Sequence, residues 1–116
     1  FIIYDEITRF YWLVSNQATD SMRRVSSLSN IKRYGLPNNE RHRLQLHFSR
    51  NCVDWCFAGM VACSTNELYS RNYPSAVIKG DDLHIVCRSA DEHALNPQYN
   101  NMITHHIVSN FRQLIY

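Results

Sequence analysis

The sequence predicts an all-β chain built from antiparallel four-stranded units. Three observations carry this. Short runs rich in aromatic and β-branched residues recur, several with strict apolar/polar alternation. Tight polar corners or long polar connections separate them. The order of these pieces in residues 1–63 returns in residues 64–116.

Taken in order, the opening FIIYDE reads as the inside of a strand, and FYWLVS, residues 10–15, is an aromatic run of strand length. In RLQLHFS, 43–49, Leu44, Leu46 and Phe48 alternate with Arg43, Gln45 and His47, the period-2 signature of a half-buried strand. CFAGMVA, 56–62, follows after a short corner. SAVIKG, 75–80, and DLHIVCR, 82–88, read as a hairpin turning through Lys79-Gly80-Asp81-Asp82. MITHHIV, 102–108, alternates again and sends one of His105 and His106 inward and the other outward. FRQLIY, 111–116, reads as a last strand. The stretch 16–42 shows no strand pattern. There Asp20 as a cap, Met22, Val25, Leu28 and Ile31 at every third position, and Gly35 before Pro37 predict a short helix. The second long connection, 89–101, is rich in Asp, Glu, Asn and Pro.

Bulk properties narrow the function classes. The 116 residues are about one domain's worth. Twelve Lys and Arg against ten Asp and Glu leave a net charge of +2, which does not suggest a nucleic-acid partner. Arg23, Arg24, Lys32 and Arg33 read as a solvated face. No apolar run approaches the length that crosses a bilayer, so no membrane partner is expected. Both ends read as the inside of strands, as if cut from a longer architecture. Cys52, Cys56, Cys63 and Cys87 lack a zinc or disulfide spacing and read as reduced, buried small hydrophobes. No phosphate loop, H-E-x-x-H or nucleophile elbow appears, so neither cofactor nor metal is expected.

The repeat sets the architecture. LHFSRNCVDW and HHIVSNFRQL fall in the same place: alternating strand, polar corner, bulky apolar anchor. Each unit then runs strand, strand, long loop, strand, corner, strand. Four antiparallel strands repeated at about the period of one blade is how a β-propeller reads, here about two blades of one. Residues 1–63 form the first, incomplete at its start with FIIY as the end of its innermost strand, and 64–116 the second. The second blade is expected to rebuild the sheet of the first beside it, around a shared axis. The rival is one β-sandwich of about seven strands, an interaction domain with its halves face to face about a common interior.

HFSRNCVDW, 47–55, resembles the Ser-x-Asp…Trp corner, or Asp-box, that recurs in sialidase-like propellers, and the S-x-D-x-x-x-W corner of five-bladed glycoside hydrolases. NYPSAVIKGDDLHIVCRSADE resembles the sialidase-like pattern of Tyr-Pro-Ser, a hairpin, and an Arg ending the second strand. YDEITRFYWLVSNQ resembles the start of the second strand of the preceding blade. Asn51 stands where the Asp is expected, Cys52 and Val53 replace a polar-Gly turn, and no Thr precedes Trp55. The corner is structural: Ser49 and Asn51 can bond its backbone, Asp54 adds an acceptor, and Trp55 is expected to bury its face between sheets.

Strand alternation puts connections 16–42, 63–74 and 89–101 on one rim and SRNCVDW on the other. The first rim collects Asp20, Arg23, Arg24, Arg71, Tyr73, Arg88, Asp91, Glu92 and His93. The resemblance implies a glycoside hydrolase in which arginines clamp a substrate carboxylate while a Tyr–Glu pair and an Asp do the chemistry. Arg88 is the candidate clamp, with Arg23, Arg71, Tyr73 and His93 as further substrate-binding residues. A salt bridge from Arg88 to Asp91 or Glu92 is its alternative role. Asp20, Asp91 and Glu92 are the candidate catalytic carboxylates. Asp91 and Glu92 are neighbours that point opposite ways, so a working pair combines Asp20 with one of them; otherwise Asp20 caps a helix. Tyr73 and Tyr99 could stack on sugar rings or pack at blade edges. The alternative function is a non-catalytic, lectin-like module. Its open sheet edges would make it a homo-oligomer, several copies building one propeller, unless further blades of the same chain close the ring.

Overall fold

A computed structural model describes residues 1–17 and 40–116. The chain is all-β. Its strands are β1 (Ile2–Asp5), β2 (Phe10–Gln17), β3 (Glu40–Ser49), β4 (Cys56–Cys63), β5 (Arg71–Lys79), β6 (Asp82–Ser89) and β7 (Met102–Val108). They form two antiparallel meanders, β1-β2-β3-β4 and β5-β6-β7. The expected helix, with Asp20, Arg23 and Arg24, lies outside the described residues.

Alternation decides what each sheet buries. Trp12 stands opposite Phe48 and Val14 opposite Leu46 across β2–β3, so these four share a face. Leu83, Ile85 and Cys87 share the facing side of β6. Together with Leu44 and Phe111 they make one buried cluster between the sheets. Trp12 has no exposed surface and meets the Phe111 ring edge-on at 4.8 Å. Two sheets face to face about a common interior was the arrangement expected of a sandwich. Neighbouring blades of a propeller also pack face to face about a shared interior.

One strand expectation holds and one changes. FIIY is a strand as expected, pairing with β2 from Ile2 opposite Leu13 to Asp5 opposite Phe10 as the edge of a four-stranded sheet. FRQLIY is not a strand: Phe111–Leu114 form a 3-10 helix. Asn110 enters the left-handed region at φ 51°, and the Gln113 amide then donates to the Asn110 carbonyl at 2.9 Å. Phe111 is buried in the core, and Leu114, one 3-10 turn on, and Ile115, just past the helix in extended backbone, pack partly buried against it. The second sheet therefore has three strands among the described residues, not four.

Side-chain expectations change too. Trp55 is half-buried, and Trp12 is the tryptophan inside. All four thiols are free, but Cys52, Cys56 and Cys63 are exposed and Cys87 alone is buried. The hairpin turns where expected, Gly80 taking φ +62° between paired Lys79 and Asp82.

An ion network joins the far ends of the chain. Arg112 donates from Nε and Nη2 to the two oxygens of Asp5, at 2.9 and 3.0 Å. Its Nη1 reaches the Gly80 carbonyl and the Asp81 carboxylate, each at 2.9 Å. Asp5 is 2% exposed and also accepts from the Thr8 hydroxyl at 2.6 Å. Burial pushes its carboxyl up, but the Arg112 and Thr8 hydrogen bonds together hold it below the usual carboxylate range.

Candidate functional site

The meander brings 64–70, 90–101 and the ends of β2 and β3 to one rim. A polar hub holds them. Asn16, at the end of β2, donates to the Arg71 carbonyl at 2.8 Å, stitching the first sheet to the start of β5. Asn72 is 1% exposed; its amide donates to the Pro97 carbonyl at 2.9 Å and to Asn100 Oδ1 at 2.8 Å. Asn72 Oδ1 accepts from Arg41 Nη1 at 2.7 Å. A buried amide with each of these groups satisfied fixes the loop's path, because losing a partner would leave a desolvated dipole.

Three arginines rise from this hub. Arg41 lines a cleft of about 440 Å³ with Val14, Asn16, Asn72 and Tyr73. Arg88 places its guanidinium 5.5 Å from the centre of the Tyr73 ring, a cation–π contact. Arg71 spends Nη1 on the Ser70 and Ala90 carbonyls, at 2.8 and 3.4 Å. Among the described residues no carboxylate pairs with Arg41, Arg71 or Arg88. The Nε atoms of Arg41 and Arg71 are buried without a hydrogen-bond partner. Arg41 therefore brings to the cleft a guanidinium that no described carboxylate meets as an ion pair, a setting for an anionic group.

The rim's own acids are held otherwise. Asp91 Oδ1 accepts from Asn101 Nδ2 at 2.7 Å and from the His93 amide at 2.9 Å. The Asn101 bond, then the His93 amide, hold its pKa below the ordinary value. Glu92 neighbours the Tyr69 hydroxyl, an interaction that holds the carboxyl down and pushes the phenol up. Its Oε1 lies 4.0 Å from His93 Nε2. Both carboxyls are thus kept ionised at neutral pH, whereas a proton donor for glycosidic cleavage needs a raised pKa.

Arg88 and Tyr73 meet at this rim, Arg71 is held apart from them by the Ser70 and Ala90 carbonyls, and Asp91, Glu92 and His93 share one loop. Arg88 stacks on Tyr73 in place of the alternative salt bridge to Asp91 or Glu92. Tyr73 takes φ +47° at the β5 irregularity, which throws its ring outward, 68% exposed. Asp20 and Arg23 lie outside the described residues. Tyr69, Arg41 and Asn72 were missed. Tyr69 sits three residues before Asn72 in a polar connection, and nothing local tells it from Tyr73 or Tyr99. Arg41 is one of the alternating polar positions of β3 and reads as an outward-facing charge.

The opposite rim carries the corner. Ser49 Oγ accepts from the Asn51 and Cys52 amides at 3.2 and 3.0 Å. Asn51 Oδ1 accepts from the Val53 and Asp54 amides, both at 2.9 Å. Asn51 Nδ2 donates to Asp54 Oδ2 at 2.8 Å, and Trp55 Nε1 to the Cys52 carbonyl at 3.2 Å. The larger groove beside it, about 500 Å³, has an aromatic floor of Phe10, Phe48 and Tyr116. Its Asn51 and Asp54 are already engaged in the corner, and its Arg50 stacks over the Phe10 ring at 5.1 Å. No family model, curated protein or solved structure matches the chain.

Proposed function

We propose that the chain is part of a sialidase-like propeller glycoside hydrolase, and that its rim cleft grips the carboxylate of an acidic sugar. One observation carries the reading: Arg41 and Tyr73 line one cleft, Arg88 stacks on the Tyr73 ring, and among the described residues no carboxylate forms an ion pair with either arginine. Guanidinium forks suit a carboxylate, and an exposed aromatic face suits a sugar ring. The Ser49–Asn51 corner supports the fold part, since Asn51 Oδ1 accepts from two corner amides where the resemblance expects an Asp. Apolar side chains exposed on the outer faces of both sheets support blades over a free-standing sandwich, whose outer faces would be polar.

Within this reading Glu92 is the acceptor for the Tyr69 phenolic proton. The proton rests on Tyr69, because the adjacent carboxylate disfavours a phenolate. The acid that protonates the leaving group comes from elsewhere in the site. A second reading, sugar binding without turnover, is favoured by the lowered pKa of both Asp91 and Glu92.

Binding of sialylated, uronic-acid and neutral glycans to the wild-type chain and to Arg88→Ala and Arg41→Met tests both. Preference for carboxylated glycans, lost about tenfold or more in either variant with the circular dichroism unchanged, is the expected result. Equal affinity for neutral and acidic sugars overturns the clamp. Release of a chromogenic leaving group, abolished in Tyr69→Phe, selects hydrolysis; binding without release selects the second reading.

A further inference from the structure

The two sheets are built on one pattern, and each leaves a face unmatched. On the first sheet's covered face, Trp12 pairs with Phe48 and Val14 with Leu46. The same places in the second sheet hold His84 with Ile107 and Val86 with His105. These lie on its outward side, where Val86, Ile103 and Ile107 are exposed. The converse also holds. Ile85 opposite His106 sits on the side of the second sheet turned toward the first. Its equivalent in the first sheet is Leu13 opposite His47, on an outward side that exposes Tyr4, Phe57 and Met60. Burial holds both His47 and His106 below the ordinary histidine value.

The interface inside the chain thus joins two complementary kinds of face, and the molecule turns one further face of each kind outward. We propose that the second sheet's outward face docks a second copy of this chain, through the outward face of that copy's first sheet. Such contact is heterologous: the two surfaces differ, so it repeats head to tail until a ring closes. The polar pair in this face is equipped for burial. His84 Nδ1 and His105 Nε2 lie 3.1 Å apart, with the rings 15° from parallel and their centres 5.2 Å apart. That separation is close to head-on contact, one imidazole donating to the other, so a nitrogen of each is satisfied before a partner arrives. This inference rests on the repeat between the sheets and not on sugar binding, so either can fail alone.

Sedimentation equilibrium tests it with two blocked forms. Val86→Lys spoils the second sheet's outward face, and Phe57→Lys the first sheet's. The wild-type chain is expected to gain mass with concentration. Each variant alone is expected to stay a single chain, and an equimolar mixture to form a dimer and nothing larger. Ile103→Lys, at a position 69% exposed, replaces Val86→Lys if that variant does not fold. A wild-type chain that stays monomeric throughout, a singly blocked form that still self-associates, or a mixture that stays monomeric overturns the proposal.

Discussion

Replacing Arg112 by leucine removes a bidentate partner from a carboxylate that is almost wholly buried. Breaking a buried pair from one side costs roughly 3–5 kcal/mol, because the remaining charge is left desolvated. Thr8 still offers Asp5 its hydroxyl and amide, at 2.6 and 3.3 Å, so the lower end applies, about 3 kcal/mol. The Asp81 contact adds little, since that carboxylate is 79% exposed. At about 4 °C per kcal/mol for a domain of this size, the melting temperature at pH 7 should fall by about 12 °C. The sign of the pH dependence follows from the direction of the Asp5 shift. Its folded pKa is depressed, so the pair's contribution is complete above the unfolded carboxylate value, near pH 4, and fades as pH falls through the lower folded value. Without the guanidinium, burial pushes Asp5 up instead. The gap between wild type and Arg112→Leu is therefore widest at neutral pH and narrows toward about pH 3. Scanning calorimetry from pH 7 to 3 measures this. Adding Asp5→Asn should recover part of the loss by removing the stranded charge. A loss under about 1 kcal/mol at pH 7, or one that does not change with pH, refutes the account.

Other outcomes follow from the same contacts. Asn72→Ala should cost about 2–3 kcal/mol and speed amide exchange across 90–101, because it strands the Pro97 carbonyl, Asn100 and Arg41. Ser49→Ala removes the acceptor for two corner amides and should lower stability by about 1 kcal/mol in urea titration. A thiol-specific chromogenic disulfide should label Cys52, Cys56 and Cys63 quickly in the folded chain. Cys87, buried and with its pKa pushed up to about 11, should react only on unfolding.

Where one local rule decides the structure, the sequence was readable. Leu44, Leu46 and Phe48 define β3 because a strand half in water needs that alternation. Gly80 marks the hairpin because the turn needs positive φ. FRQLIY was ambiguous, since Phe111, Leu114 and Ile115 fit either a strand with one error or a helical turn. The left-handed Asn110 decides it, and that is a backbone choice that packing enforces. Which tryptophan is buried depends on strand position: Trp12 lies on a central strand facing the second sheet, Trp55 at the tip of a corner. The rim was readable in part. Arg88 and Tyr73 come from the two arms of one hairpin, so their nearness was readable, but the β5 irregularity that sets Asn72 opposite Arg88 and turns Tyr73 outward was not. Arg41 beside Asn72, and Tyr69 beside Glu92, join residues from separate elements, and no spacing rule reports them.

The bond between Asp5 and Arg112 spans 107 positions, so a nascent polypeptide cannot make it until synthesis has all but passed through this region. Every strand of the first sheet has emerged long before then, with Trp12, Leu44 and Phe48 wet until β6 arrives to cover them. That interval is when a translating ribosome would most need a chaperone at hand.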